Sequence, residues 1–277
     1  MNSSDTKSMA VFCDFENVAL GVREAKYDRF DIGKVLERLL LKGSIVVKKA
    51  YCDWERYKEF KAPMHEASFE LIEIPHVRMS GKNSADIRMV VDALDLCYTK
   101  AHVDTFVIIS GDSDFSPLVS KLRENNKTVI GVGVKSSTSD LLIANCDEFI
   151  FYDDLVRQNE KKQQNQRSRR KTAQKAPPAG AAKDQVKIEK TEEDRKQEAF
   201  DLVLDTIEAL AGERDQDEKI WGSMVKQTLK RRNPGFNETY YGFRTFSDLL
   251  EDAKKHRLLD LEPDQKSGGY IIRRVSE

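Results

Sequence analysis

Thr105-Phe106-Val107-Ile108-Ile109-Ser110-Gly111-Asp112-Ser113-Asp114-Phe115 joins an apolar, β-branched run to a turn of small residues that carries two carboxylates. An apolar run of this length, bounded by a turn signal, reads as a buried strand, and open α/β sheets place ligands at the outgoing ends of such strands. A second run, Met9-Ala10-Val11-Phe12-Cys13, ends the same way in Asp14-Phe15-Glu16-Asn17, and Asp86 stands where a polar loop gives way to a helical pattern. Should these ends be neighbours, several like charges converge. Repulsion and partial burial then raise their pKa values, whereas Mg2+ or Mn2+ would turn the cluster into a site that binds and activates phosphate esters.

Working outward, apolar strand-like runs alternate with helical periodicity from residue 9 to about 155. That alternation predicts an α/β domain with a mainly parallel sheet covered on both faces. The strand candidates are Met9–Cys13, Ile45–Cys52, Glu70–Pro75, Thr105–Ile109, Thr128–Val134 and Glu148–Tyr152. Asp31–Leu41 and Asp86–Tyr98 carry helical spacing, the second through Ile87, Val90, Val91 and Leu94, and Ser116–Asn126 and Ser139–Ala144 supply two more helices. A dinucleotide site is disfavoured, because no Gly-x-Gly-x-x-Gly turn follows the first strand, and Gly131-Val132-Gly133 comes late without a third glycine.

From Arg157 to about Lys196 the periodicity stops, and basic residues among Gln, Asn and Ser precede Ala-Pro-Pro-Ala-Gly-Ala-Ala. Such a composition buries too little apolar surface to order itself and reads as a basic tether. Periodicity resumes with Glu198–Leu210, Lys219–Lys230 and Gly242–His256, followed by Leu258–Leu261 and Tyr270–Ile272 around a turn-rich tip. Three helices and a hairpin describe a small winged-helix domain. The expected boundaries are 8–155, 156–197 and 198–277.

The net charge of −1 with 34% charged residues gives no global field, so attraction to nucleic acid must be local. No apolar run is long enough to cross a bilayer and the first residues lack a secretion signal, so the expected location is cytoplasmic. Cys13, Cys52, Cys97 and Cys146 are scattered in or beside apolar segments and read as buried reduced thiols. No Ser-His or Cys-His constellation supports nucleophilic catalysis.

Asp14 is the natural anchor for an ion, Asn17 a candidate for orienting water or a phosphate oxygen, and Glu16 a partner for Lys26, Arg23 or solvent. Asp112 and Asp114 alternate and would share a side if the chain there is extended, although Asp114 is also placed to cap the next helix. Asp92 lies about 240° around the helix from Asp86 at 100° per residue, which takes it off the ion-facing side. Lys82 and Arg88 flank Asp86 and are candidates for neutralising phosphates.

Three motifs, Asp14-Phe15-Glu16-Asn17, Gly81-Lys82-Asn83-Ser84-Ala85-Asp86-Ile87-Arg88 and Ser110-Gly111-Asp112-Ser113-Asp114-Phe115-Ser116-Pro117-Leu118, together resemble the NYN family of PIN-like nucleases. The resemblance spans about residues 8–155. It implies a compact three-layer α/β/α fold and a divalent-metal ribonuclease site formed by Asp14, Asp86, Asp112 and Asp114, with Asn17 assisting. Many relatives have Lys-Gly-x-Asp where this chain has Lys82-Asn83-Ser84-Ala85-Asp86, which bears on Lys82 more than on Asp86. The C-terminal stretch is similar to the OST-HTH or LOTUS winged-helix family through Ile220–Lys226, Phe236-Asn237-Glu238, Tyr241–Leu250 and Gly268–Ile272, implying an RNA-binding or protein-docking adaptor. There Lys226, Lys230, Arg231, Arg232 and Arg244 would contact phosphates, with Tyr240 or Tyr241 available to stack on a base. The expected function is a Mg2+- or Mn2+-dependent ribonuclease acting on single-stranded RNA; the rival is an RNA-binding scaffold that cleaves slowly or not at all. A phosphatase is disfavoured by the lack of an Asp-x-Asp first strand, and a topoisomerase-type site by the lack of a strand-end glutamate.

Overall fold

The computed structural model describes residues 7–74, 84–159, 192–212, 219–264 and 269–273. Lys82, Pro75, most of the basic tether and the hairpin tip at 265–268 fall outside them. The chain divides into two compact units, 1–160 and 161–277.

The first unit holds six strands: β1 (Lys7–Asp14), β2 (Gly43–Cys52), β3 (Glu70–Glu73), β4 (Thr105–Ile109), β5 (Thr128–Gly133) and β6 (Glu148–Phe151). They form one parallel sheet in the order β3-β2-β1-β4-β5-β6. The chain winds outward from β1 through β2 to β3, then crosses to β4 on the other side of β1. The β1–β4 boundary is therefore the topological switch point, where diverging connections leave a crevice at the outgoing strand ends. Cys13 pairs with Ile109, which sets Asp14 level with Ser110.

Parallel strands must be covered on both faces, and alternation along β1 shows how. Met9, Val11 and Cys13 enter one core with α1 (Phe15–Glu24), α2 (Ile32–Leu40), α3 (Lys58–Glu66) and α7 (152–159). Ala10 and Phe12 enter the other with α4 (Ser84–Thr99), α5 (Ser116–Glu124) and α6 (Asp140–Asn145). Phe12 stacks on Phe106 at 6.1 Å across the β1–β4 ladder. Full burial of side chains of this size contributes about 1.5–3 kcal/mol each. Gly131 faces Phe149 so closely that a Cβ would lie 2.3 Å from its ring, which accounts for glycine in β5 without a cofactor.

Helices α1, α3 and α7 were not among those predicted. Helix α1 starts on the residue after β1, with Asp14 as its N-cap accepting from Asn17 N–H. Helix α3 contains Pro63, which cannot donate to the carbonyl four residues back. That carbonyl, on Glu59, accepts instead from the Arg29 guanidinium. The face of α4 also differs from the expected one. Met89, Ala93 and Cys97 are buried, whereas Ile87 and Val91 are 63% and 55% exposed. Apolar residues surround this helix nearly all the way, so its period does not select a face. All four cysteines are free and buried. Among the described residues no helix is long and apolar enough to cross a membrane.

The second unit comprises α8 (Glu192–Gly212), β7 (Ile220–Trp221), α9 (Gly222–Arg232), α10 (Phe246–Lys255), β8 (Asp260–Pro263) and β9 (Tyr270–Arg273). Its strands form an antiparallel sheet in the order β7-β9-β8. The helix expected from Lys219 starts at Gly222 instead, because Ile220 and Trp221 pair with Ile272 and Ile271. Thr245 and Asp248 form a reciprocal capping box that starts α10.

Candidate active site

Odd residues of β1 face the α1–α3 layer and even residues face α4, so Asp14 leaves the strand on the α4 side. Ser110 follows Phe106 and Ile108 in the same phase on β4. The two side chains meet at the switch point, where the buried Ser110 hydroxyl donates to Asp14 Oδ2 at 3.0 Å. Asp14 Oδ1 accepts from Asn17 N–H at 3.4 Å. Ser110 Oγ also accepts from the backbone N–H of Asp112 at 3.2 Å, so one hydroxyl fixes both carboxylate-bearing loops.

Asn17 ties the same loops from the other side. Its Oδ1 accepts from Gly111 N–H at 2.8 Å, so this oxygen serves the scaffold rather than a water or phosphate. Gly111 packs against the loop before α6: its carbonyl accepts from Ser139 N–H at 2.9 Å, and a Cβ would lie 2.6 Å from the Ser137 carbonyl. Side chains larger than hydrogen are excluded there. The roles of Ser110 and Gly111 do not follow from the motif that contains them. A small polar residue at the end of a buried strand was the available signal.

Beyond Ser110 the chain is not extended. Residues 113–115 form a 3-10 turn capped by Asp112, whose Oδ1 accepts from Asp114 N–H at 2.9 Å. The expected alternation of Asp112 and Asp114 is therefore replaced by a turn that leaves Asp112 half-buried and Asp114 exposed. Asp86 lies in the first turn of α4. Burial raises its carboxyl to about 6, with the charges of Asp112, Asp114 and Glu16 adding to the effect. Asp14 is 7% exposed; burial and the Asp86 charge push it up to about 7, against the opposing bonds from Ser110 and Asn17. The Asp14 carboxyl therefore feels the charges of Asp86 and Asp112, and that of Asp86 the charges of Asp112 and Asp114.

They do not close into a ligand shell. Among the described residues no three His, Cys, Asp or Glu side chains gather tightly enough to hold an ion. The oxygens are turned inward, those of Asp14 toward Ser110 and Asn17 and one of Asp112 toward its own turn. Their chemistry nonetheless suits a hard cation, since a carboxylate oxygen offers further lone pairs and all-oxygen sites favour Mg2+ or Mn2+.

The flanking charges are arranged differently from the sequence expectation. Glu16 pairs with Arg56 at 3.1 Å. Arg88 donates to Asp92 at 3.0 Å, and Asp92 also accepts from the Tyr51 hydroxyl at 2.9 Å. Arg88 is thus drawn to the β2 side of α4 and away from Asp86, because two residues along a helix is a 200° turn. In the second unit Lys226 pairs with the mostly buried Glu238 at 2.7 Å, a poor state for catching phosphate. Tyr241 is a core residue stacked on Phe236 and unavailable to a base. Arg231 and Arg244 are exposed.

A three-layer parallel α/β domain with carboxylates grouped at its switch point defines the PIN-like, nuclease-type class. Residues 8–153 match the family described as NYN domain, and the chain belongs to that family. An uncharacterized protein of Methanocaldococcus jannaschii, MJ0482, is 28% identical over 112 residues, 40% of this chain and 43% of that protein. The chain thus spans less than half the length of that relative. The crystal structure of VPA0982 from Vibrio parahaemolyticus, a protein of unknown function, superposes with a TM-score of 0.50 at 29% identity, covering 56% of this chain and 98% of that one.

Proposed function

We propose that the protein is a divalent-metal-dependent ribonuclease whose first unit cleaves single-stranded RNA and whose second unit recruits RNA or a protein partner. The observation that carries the reading is the raising of the Asp14 and Asp86 carboxyls by burial and neighbouring aspartates at the β1–β4 switch point, where Ser110 fixes Asp14 and the Asp112 loop. Carboxylates that raise one another's pKa values favour a divalent guest over a bare state.

Asp14, Asp86 and Asp112 are the residues that would hold Mg2+ or Mn2+, with Asp114 at the exposed rim. The ion would supply Lewis-acid polarisation of the phosphodiester. Ser110 and Asn17 fix the rotamer of Asp14 so that its charge is aimed before substrate arrives, and Gly111 keeps the Asp112 loop tight against the strand end. Single-stranded RNA fits the crevice, since a flexible strand bends across a sheet edge that a stiff duplex bridges poorly.

The second unit is read as an OST-HTH or LOTUS-like winged helix, with Arg231 and Arg244 as its phosphate contacts. The tether would raise the local concentration of bound RNA at the first unit. Incubation of labelled single-stranded RNA with Mn2+, with EDTA, and with the Asp112→Asn protein tests the reading. Cleavage that requires the ion and disappears in the variant supports it. Activity no greater than that of the variant would leave an RNA-binding scaffold.

A further inference from the structure

A cavity of 570 Å³ opens in the layer opposite α4, between the start of α2 and the body of α3. Phe15, Phe30, Phe60 and Met64 make its apolar wall. The Phe15 ring packs against Phe60 at 5.0 Å and edge-on against Phe30 at 5.9 Å. Arg29 lies over the Phe60 ring at 4.5 Å, pinned there by its bond to the carbonyl that Pro63 leaves unserved. The cavity is anchored to the outgoing edge of the sheet, because the Tyr152 hydroxyl, just past β6, accepts from Asp31 N–H at 2.9 Å. Phe15 is also the residue bonded to Asp14, with Cα atoms about 3.8 Å apart.

The walls select the occupant. The volume is that of a small-molecule site. The exposed, planar Arg29 guanidinium, backed by the half-buried Phe60 ring with Phe15, Phe30 and Met64 buried behind it, offers a flat face on which a π ring can stack. Around the rim, Asp28, Asp31 and Glu66 outnumber the cations, and Lys34 is already paired with Asp31 at 2.6 Å. Such a rim repels phosphate while accepting N–H groups from a heterocycle.

We infer that this cavity is a nucleobase subsite, into which a single strand crossing the sheet edge inserts one unstacked base while its phosphates remain outside near the Asp14 end. The direction of the strand rests on the nuclease reading; base binding does not.

Two measurements on the full chain keep the two readings apart. In EDTA, saturation-transfer NMR with cytidine and adenosine at millimolar concentration reads base binding without cleavage. Binding is expected, weakened about tenfold in Arg29→Ala and Phe60→Leu; the second keeps an apolar side chain, and near-ultraviolet circular dichroism checks that both fold. Absence of a nucleoside signal, or equal binding by wild type and both variants, overturns the inference whatever the nuclease result. In Mn2+, an RNA series with one abasic position moved along the strand should show a single position where cleavage falls about tenfold for wild type and is unchanged for Phe60→Leu. Uniform cleavage across the series would overturn the inference and leave the nuclease reading standing. An RNA that is never cut while nucleosides bind would do the reverse.

Discussion

Replacing Asp14 by Asn should stabilise the metal-free protein at pH 8 and do little at pH 4. In the folded chain this carboxyl is raised from 3.8 to about 7, first by burial and next by the Asp86 charge. A raised folded-state pKa means stability that is full below about pH 4, where both states bind the proton, and lost as pH rises through 7. The rise is about three pH units, and at 1.36 kcal/mol each the ionised group costs the fold about 4 kcal/mol at pH 8. The amide removes that charge and keeps an acceptor for Asn17 N–H, so a gain of about 2–4 kcal/mol is expected. Trp54 and Trp221 lie in different units, so a Trp221→Phe background makes Trp54 fluorescence report the first unit alone. Urea titrations in EDTA at pH 4 and pH 8 give the two free-energy differences, and comparing wild type with variant at each pH cancels the titrating groups that do not couple to Asp14. An equal change at both pH values, or a loss at pH 8, would refute the claim that like charges converge on Asp14.

A divalent ion should offset the same repulsion: Mn2+ at 100 times its dissociation constant should stabilise the wild type by about 2.7 kcal/mol at pH 8, read as a shift in thermal midpoint, and leave Asp112→Asn unshifted. Ser110→Ala removes a buried donor to Asp14 and an acceptor for Asp112 N–H, so chemical denaturation near neutral pH should show a loss of about 1.5–3 kcal/mol, and cleavage should fall with it. Arg231→Ala and Arg244→Ala should each reduce the salt dependence of RNA affinity by about one phosphate contact, measured by titrations across ionic strength. Lys226→Met should leave that slope unchanged yet lower the stability of the second unit by about 1–3 kcal/mol, because it strands the Glu238 carboxylate.

The six strands were legible to within about two residues, because each is built around a short apolar or β-branched run between turn signals, interrupted in β2 only by Lys48 and Lys49. Helix α1 was not, since it begins on the residue after β1 with its cap supplied by the strand's own last side chain. Helix α3 hid for another reason: it buries Met64 alone and contains Pro63, so neither period nor propensity reveals it. The aspartates stood out as charges at apolar strand ends. What the spacing lacked was the adjacency of β1 and β4, which is a matter of sheet order, and with it the Ser110–Asp14 bond and the Asn17–Gly111 tie. The pairing of Lys226 and of Arg88 was hidden for the same reason. A cation's free or paired state depends on distant acidic partners, here Glu238 brought in from another segment and Asp92 one helical turn on.

Because neighbouring residues on β1 are sent to opposite layers, insertion or loss of one residue between Met9 and Asp14 would exchange the destinations of Asp14 and Phe15 while leaving the composition of the strand almost untouched. Such a frame change would carry the carboxylate into the aromatic layer and the phenyl ring into the acidic crevice. A length change in the first strand therefore acts on both layers at once, which a single substitution on the surface of this domain does not.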